Sequence, residues 1–204
     1  MGAPYDKQEL ISYHSTSKGL MGECGLRGGY MELENIDPYV QGQILKLRTI
    51  CLCSNTVGQL MTEVMVNPPK EGVNSPEVVA LYKKEQEMIL GGLIKRSKLL
   101  TQKLNTIPGI KTNELEGAMY SFPRIFLKES AIKAAKAKGL APDAMYCVEA
   151  LEETGLVLVA GSGFKQREDT YHFRITNLLY NTSDFDTALD AFKEFNAKFF
   201  KKYP

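Results

Sequence analysis

The sequence predicts a mixed α/β chain. Long runs carry apolar residues three or four apart, shorter runs alternate or are continuously apolar, and Gly and Pro clusters punctuate them. Leu10 to Tyr13 reads as a short apolar strand that delivers the chain into a glycine-rich loop. Lys18 then falls just past a strand's carboxyl end, where ligands of open α/β sheets gather. From Val40 to Val66 the apolar spacing is helical, with a break near Ser54-Asn55, and Asn67-Pro68-Pro69 followed by Gly72 stops it. Ser75-Pro76-Glu77 next offers a cap, a proline at the first helical position and an acidic first turn. Val79, Tyr82, Ile89, Leu93, Leu100, Leu104 and Ile107 follow at helical intervals up to Pro108-Gly109. This predicts one long helix, suited to join two domains while burying one stripe.

Beyond Gly109 helices and strands intermingle. A strand is expected from Gly117 to Ile125, and helices from Ser130 to Lys138 and from Pro142 to Thr154, with Gly139 and Gly155 as stops. Leu156 to Val159 reads as a buried strand. Tyr171 to Thr176 alternates, placing Tyr171, Phe173 and Ile175 on one face and His172, Arg174 and Thr176 on the other. Arg174 therefore points away from the apolar face. Ser183-Asp184 opens a last helix whose Phe185, Leu189, Phe192 and Phe199 or Phe200 form a core stripe.

With 204 residues, 44% hydrophobic and 24% charged, the chain has room for a real core and lacks the signature of disorder. Its net charge of +1 argues against a broad nucleic-acid or membrane-surface footprint, so any anion site must be local. No apolar run reaches the length of a membrane span or secretory signal. The cysteines at 24, 51, 53 and 147 have neither disulfide-framework nor zinc spacing, which predicts reduced thiols and a cytoplasmic location. Cys51, Cys53 and Cys147 read as core residues. His14 and His172 have no acidic ligand spacing beside them, so no metal site is expected and each is assigned a hydrogen-bonding role.

The chemistry concentrates in HSTSKGLMGECGLRGGY, residues 14–30. A lysine attacks an aldehyde when its amine is neutral, which a nearby positive charge such as Arg27 promotes. Most loop lysines are solvated and do nothing specific. Ser15, Thr16 and Ser17 supply hydroxyls, the glycines let backbone N–H groups approach a ligand, and Arg27 can clamp an anion bidentately. Glycines equally make ordinary turns, and the segment lacks the G-x-x-x-x-G-K-[ST] phosphate loop. The residues alone leave both readings open.

The run STSKGLMGECGLRGGY resembles the cofactor-lysine segment of the fold type I pyridoxal-phosphate-dependent aminotransferases, and its M-G-E-C-G-x-R-G-G-Y part resembles the alanine aminotransferase family. EGAMYSFPRI, LEETGLVLVAGSGF and YHFRIT are similar to segments of the same family's small C-terminal domain, in its order. The resemblance implies that Lys18 holds pyridoxal phosphate as an internal aldimine and afterwards acts as general base. Ser15 and Arg27 would hold the cofactor phosphate with help from Ser17, and Arg174 would bind the substrate α-carboxylate. The implied substrates are alanine with pyruvate and glutamate with 2-oxoglutarate. Where the family usually reads P-G-S-G-F-G this chain has Ala160 and Lys165, and Asp169 replaces another common glycine.

In that family most of the large domain precedes the cofactor lysine, including the acidic partner of the ring nitrogen. The resemblance therefore implies the C-terminal part of the fold. Residues 1–74 would end the large domain and 75–204 would form the small domain, beginning with the long linker helix. A truncated transaminase, weakly active or inactive alone and homodimeric in its full-length form, is the expectation. Two alternatives stand beside it: another pyridoxal-phosphate-dependent aminotransferase or lyase of the same fold, and a non-catalytic association module derived from the small domain.

Overall fold

Side-chain caps mark where several of the helices begin. In the computed structural model, which describes residues 2–204, Asp37 accepts from the N–H groups of Tyr39 and Val40 to start α1 (Pro38–Ile50). Asn55 accepts from Val57 to start α2 (Thr56–Val66). The break expected near Ser54-Asn55 is thus a capped helix start. Ser75 Oγ and the Ser75 carbonyl accept from Val78 and Val79 at the head of α3 (Pro76–Thr106).

The chain divides into two units, Met1–Gln86 and Glu87–Pro204. In the first, β1 (Leu10–Ser15) pairs antiparallel with β2 (Gly29–Glu34), from Leu10 with Glu34 to Ser15 with Gly29. The opening loop is therefore the connection of a hairpin. Its second strand escaped the sequence reading, because Glu32 and Glu34 interrupt a run of only three large apolar residues.

In the second unit β3 (Ile110–Lys111) pairs with β5 (Arg124–Ile125), and β4 (Tyr120–Ser121), β5 and β6 (Val159–Ala160) all pair antiparallel with β7 (Tyr171–Thr176). One register runs through β4 and β5: Tyr120 faces Thr176, Ser121 faces Ile175, Arg124 faces His172 and Ile125 faces Tyr171. The strand expected over 117–125 is split because Pro123 has no N–H to give the ladder, although its carbonyl still accepts from Phe173. The buried strand expected over 156–159 is also corrected. Only Val159 and Ala160 pair with β7, Leu158 is buried, and Val157 is 74% exposed.

Helices α4 (Glu129–Ala137), α5 (Pro142–Thr154) and α6 (Thr182–Lys202) cover the other side of β7. Phe173 and Ile175 pack with Leu100, Leu104 and Ile107 of α3, Tyr146 of α5, and Phe185, Leu189, Phe192, Phe195 and Phe199 of α6. Asn181, rather than Ser183-Asp184, caps α6. Arg96 of α3 donates Nε to the Asn177 carbonyl at 2.8 Å and Nη1 to that of Tyr180 at 3.0 Å, tying the segment after β7 to the helix. Cys51 and Cys53 are exposed, contrary to their core assignment, because they follow α1 on a surface turn where Leu52 has φ +57°. Cys147 is buried, and burial followed by the charge of Asp143 pushes its thiol up to about 12, which keeps it an inert core residue.

Candidate active site

The hairpin connection is anchored from inside by Thr16. Its side chain is fully buried, with Oγ1 donating to the Gly28 carbonyl at 3.2 Å and the backbone N–H to the same oxygen at 3.1 Å. Thr16 was expected to offer its hydroxyl to a ligand, but that hydroxyl is spent closing the loop. Ser15 Oγ accepts from Ser17 N at 3.2 Å, which turns the chain toward Lys18.

A cavity of about 1040 Å³ opens beside this loop, and Ser15, Ser17, Lys18 and Arg27 all line it. Helix α2 forms the opposite wall at very short range: a Cβ at residue 58 would lie 2.7 Å from the Leu26 carbonyl oxygen and 2.9 Å from that of Arg27. Only glycine permits this approach. Asn55 Nδ2 completes the junction by donating to Leu26 O at 2.7 Å. Arg27 itself sits in the left-handed region at φ +55°, and its Nη1 donates to the Cys24 carbonyl at 2.8 Å. That bond fixes one edge of the guanidinium and leaves the rest of its donor fork unspent.

Arg174 lies on β7 in the second unit, and its alternation agrees with expectation: Phe173 and Ile175 are buried while His172, Arg174 and Thr176 share the other face. On that face the guanidinium carbon lies 4.6 Å from the Tyr120 ring centre and 5.2 Å from that of Phe164. Phe122 stacks on His172 at 4.9 Å with 2° between the planes and meets Phe164 edge-on at 5.6 Å. Arg174 Nε is buried without a hydrogen-bond partner. The rings orient the guanidinium, so its outer N–H pair remains suited to a fork-to-fork carboxylate contact.

His172 Nδ1 lies 2.9 Å from Gln166 Oε1, and its pKa is lowered by burial and by Arg124, with Asp143 acting in the opposite direction. A hydrogen-bonded histidine was expected; its partner was not. Tyr120, Phe122 and Phe164 stand in the quoted motifs, yet nothing in their spacing marks them as neighbours of the face that carries His172 and Arg174. The register of β4, β5 and β6 on β7 supplies that information.

Solved structures of similar fold include aminotransferases. Alanine aminotransferase from Pyrococcus furiosus matches with a TM-score of 0.70 at 25% identity, over 93% of this chain and 42% of that one. The chain has the C-terminal part of the aminotransferase fold. Sequence narrows the class further, since along its whole length the chain is similar to alanine aminotransferases. It is 50% identical to the Danio rerio alanine aminotransferase 2-like protein and 48% identical to Xenopus tropicalis alanine aminotransferase 2, spanning 36% and 38% of their lengths. No family model matches the chain.

Proposed function

We propose that this chain is the C-terminal part of a pyridoxal-phosphate-dependent aminotransferase that exchanges an amino group between alanine and 2-oxoglutarate. The cavity lined by Lys18 together with Ser15, Ser17 and Arg27 carries the reading, because a ligand with an aldehyde and a phosphate needs an amine for one end and hydroxyl and guanidinium donors for the other. Ser15, Ser17 and Arg27 would hold the phosphate and Lys18 Nζ would hold the aldehyde end. Pyridoxal phosphate, when bound, supplies the electron-withdrawing ring that lets an α-proton leave. Lys18 Nζ takes that proton and returns it as general base and acid. Arg174 grips the α-carboxylate, while Tyr120 and Phe164 hold the guanidinium plane and keep water from its faces. Overall the amino group and the keto oxygen change places between the two substrates, so alanine plus 2-oxoglutarate balances as pyruvate plus glutamate.

The chain spans well under half the length of its curated relatives. We infer that full turnover requires groups beyond its own, that exchange between alanine and 2-oxoglutarate is feeble in this polypeptide, and that the complete enzyme is a cytoplasmic homodimer. Incubation with pyridoxal phosphate, reduction with borohydride and peptide mapping test the site. Label at Lys18 is expected, diminished in Arg27→Ala; label confined to other lysines removes the assignment. An association module is favoured by one different observation, the apolar side chains that α1 and α2 leave exposed. For that reading, light scattering should find stable defined oligomers and reduction should find no cofactor adduct.

A further inference from the structure

We propose that Asp143 is the positioning residue for Arg174, its buried carboxylate fixing the ring clamp in which the guanidinium lies; this rests on Arg174 as the carboxylate-binding group. Asp143 stands in the first turn of α5 and is 1% exposed. A carboxylate so buried must be met by donors. Oδ1 accepts from Ala144 N at 3.1 Å, and Oδ2 accepts from Ser162 N at 2.6 Å and from Gln166 Nε2 at 2.9 Å.

Two routes lead from Oδ2 to Arg174. The bond to Ser162 pins the short 3-10 turn Gly161–Phe164, which carries the ring lying over the guanidinium. The bond to Gln166 orients that side-chain amide, so its Oε1 faces His172 Nδ1 and makes that nitrogen the donor. His172 then supports Phe122 by stacking, and Phe122 meets Phe164 edge-on. The routes converge on one ring. A side chain at Gly161 would block the second route, since a Cβ there would collide with Gln166 Oε1 and lie 2.8 Å from the His172 carbonyl. With Nε unpartnered, the guanidinium takes its orientation from these rings rather than from hydrogen bonds. A first-turn acid also favours the helix dipole of α5, but that role needs neither Gln166 nor Ser162.

The test uses the full chain labelled with 15N. The Nε–H signal of Arg174, identified by its loss in Arg174→Lys, should be displaced upfield by the flanking rings, and His172 should show a single Nδ1–H tautomer. In Asp143→Leu both acceptor oxygens are removed, so Ser162 N and Gln166 Nε2 lose their shared partner, and both signatures are expected to be lost while the methyl signals of Leu104, Ile175 and Leu189 persist. Retention of both signatures in a folded Asp143→Leu chain overturns the proposal. Should that variant fail to fold, Gln166→Leu keeps the bond from Asp143 to Ser162 and removes the second route. It is expected to abolish the single tautomer and move the Arg174 signal; an unmoved Arg174 signal overturns the proposal. Titration of the unsubstituted chain with 2-oxoglutarate is scored separately. An Arg174 signal indifferent to it removes the carboxylate reading, whereas the clamp is judged on the ligand-free spectra.

Discussion

Lys165 holds a backbone conformation that its own side chain resists. Its φ is +51°, in the left-handed region, at the end of the turn that carries Phe164. A β-carbon there is strained by about 1–2 kcal/mol, partly offset in glycine by the larger entropy of its unfolded chain. Lys165→Gly is therefore expected to stabilise the protein by about 0.5–1 kcal/mol, read as a raised urea midpoint at constant slope. His172 sets a second test at this scale. Burial, then Arg124 on β5, hold its pKa below the usual 6.5, and Asp143 on α5 opposes them only in part. The unfolded chain thus binds the proton first as pH falls, so stability rises with pH across the window that ends near 6.5. His172→Gln is expected to lose less stability than the parent chain between about pH 7 and about pH 5. An identical loss in both chains would show that another group titrates there. These residues also mark what the sequence could disclose. Ser15, Ser17, Lys18 and Arg27 lie within one short loop, so their cooperation is visible in one line of text. Asp143, Gln166 and His172 come from a helix, a turn and a strand, and only packing makes them neighbours.

Among the elements, α5 and α6 are braced by one buried polar chain that also reaches the end of α3. Tyr146 OH donates to Asn196 Oδ1 at 2.8 Å, and Asn196 Nδ2 donates to the Pro108 carbonyl at 3.0 Å. Tyr146 is fully buried and Asn196 is 1% exposed, and burial raises the tyrosine pKa far above its ordinary value, so the phenol stays a donor. Tyr146→Phe keeps the ring contacts with Phe192, Phe195 and Phe199 but leaves Asn196 Oδ1 without its donor. A loss of about 1–3 kcal/mol is expected by denaturant titration; a neutral outcome would mean that the side chain of Asn196 turns to another partner. Periodicity alone located α5 with its bounds because Pro142 and Gly155 punctuate a helical pattern, and Gly155 takes φ +74° as its stop. It failed where an element is defined by pairing instead. The strands β3, β4, β5 and β6 are two residues each, too short for any period, and exist because β7 or its neighbour offers them a ladder.

Across the whole molecule the burial is unequal. The second unit contains the entire aromatic and aliphatic cluster around Phe173, Tyr146 and Phe192. In the first, α1 has no buried residue and α2 buries only Gly58, while Leu45, Leu47, Ile50 and Leu60 are each at least 60% exposed. The sequence reading placed these side chains in a run of helical apolar spacing without saying whether anything covers them. Helices with few buried contacts open locally at little cost. The loop with Lys18 and Arg27 leans on α2 through Gly58 and Asn55, so its geometry inherits the stability of that helix. Hydrogen exchange on the full chain should therefore separate the units. Amides of α1 and α2 are expected to open within about 1–2 kcal/mol of the unprotected limit, and those of α5, α6 and β7 only near the global unfolding free energy. Equal protection in α2 and α5 would contradict this assignment. If pyridoxal phosphate binds as proposed, it should slow exchange in α2 and in the 15–29 loop, because a ligand held by Ser15, Lys18 and Arg27 stabilises only the state in which that loop and its helix are formed.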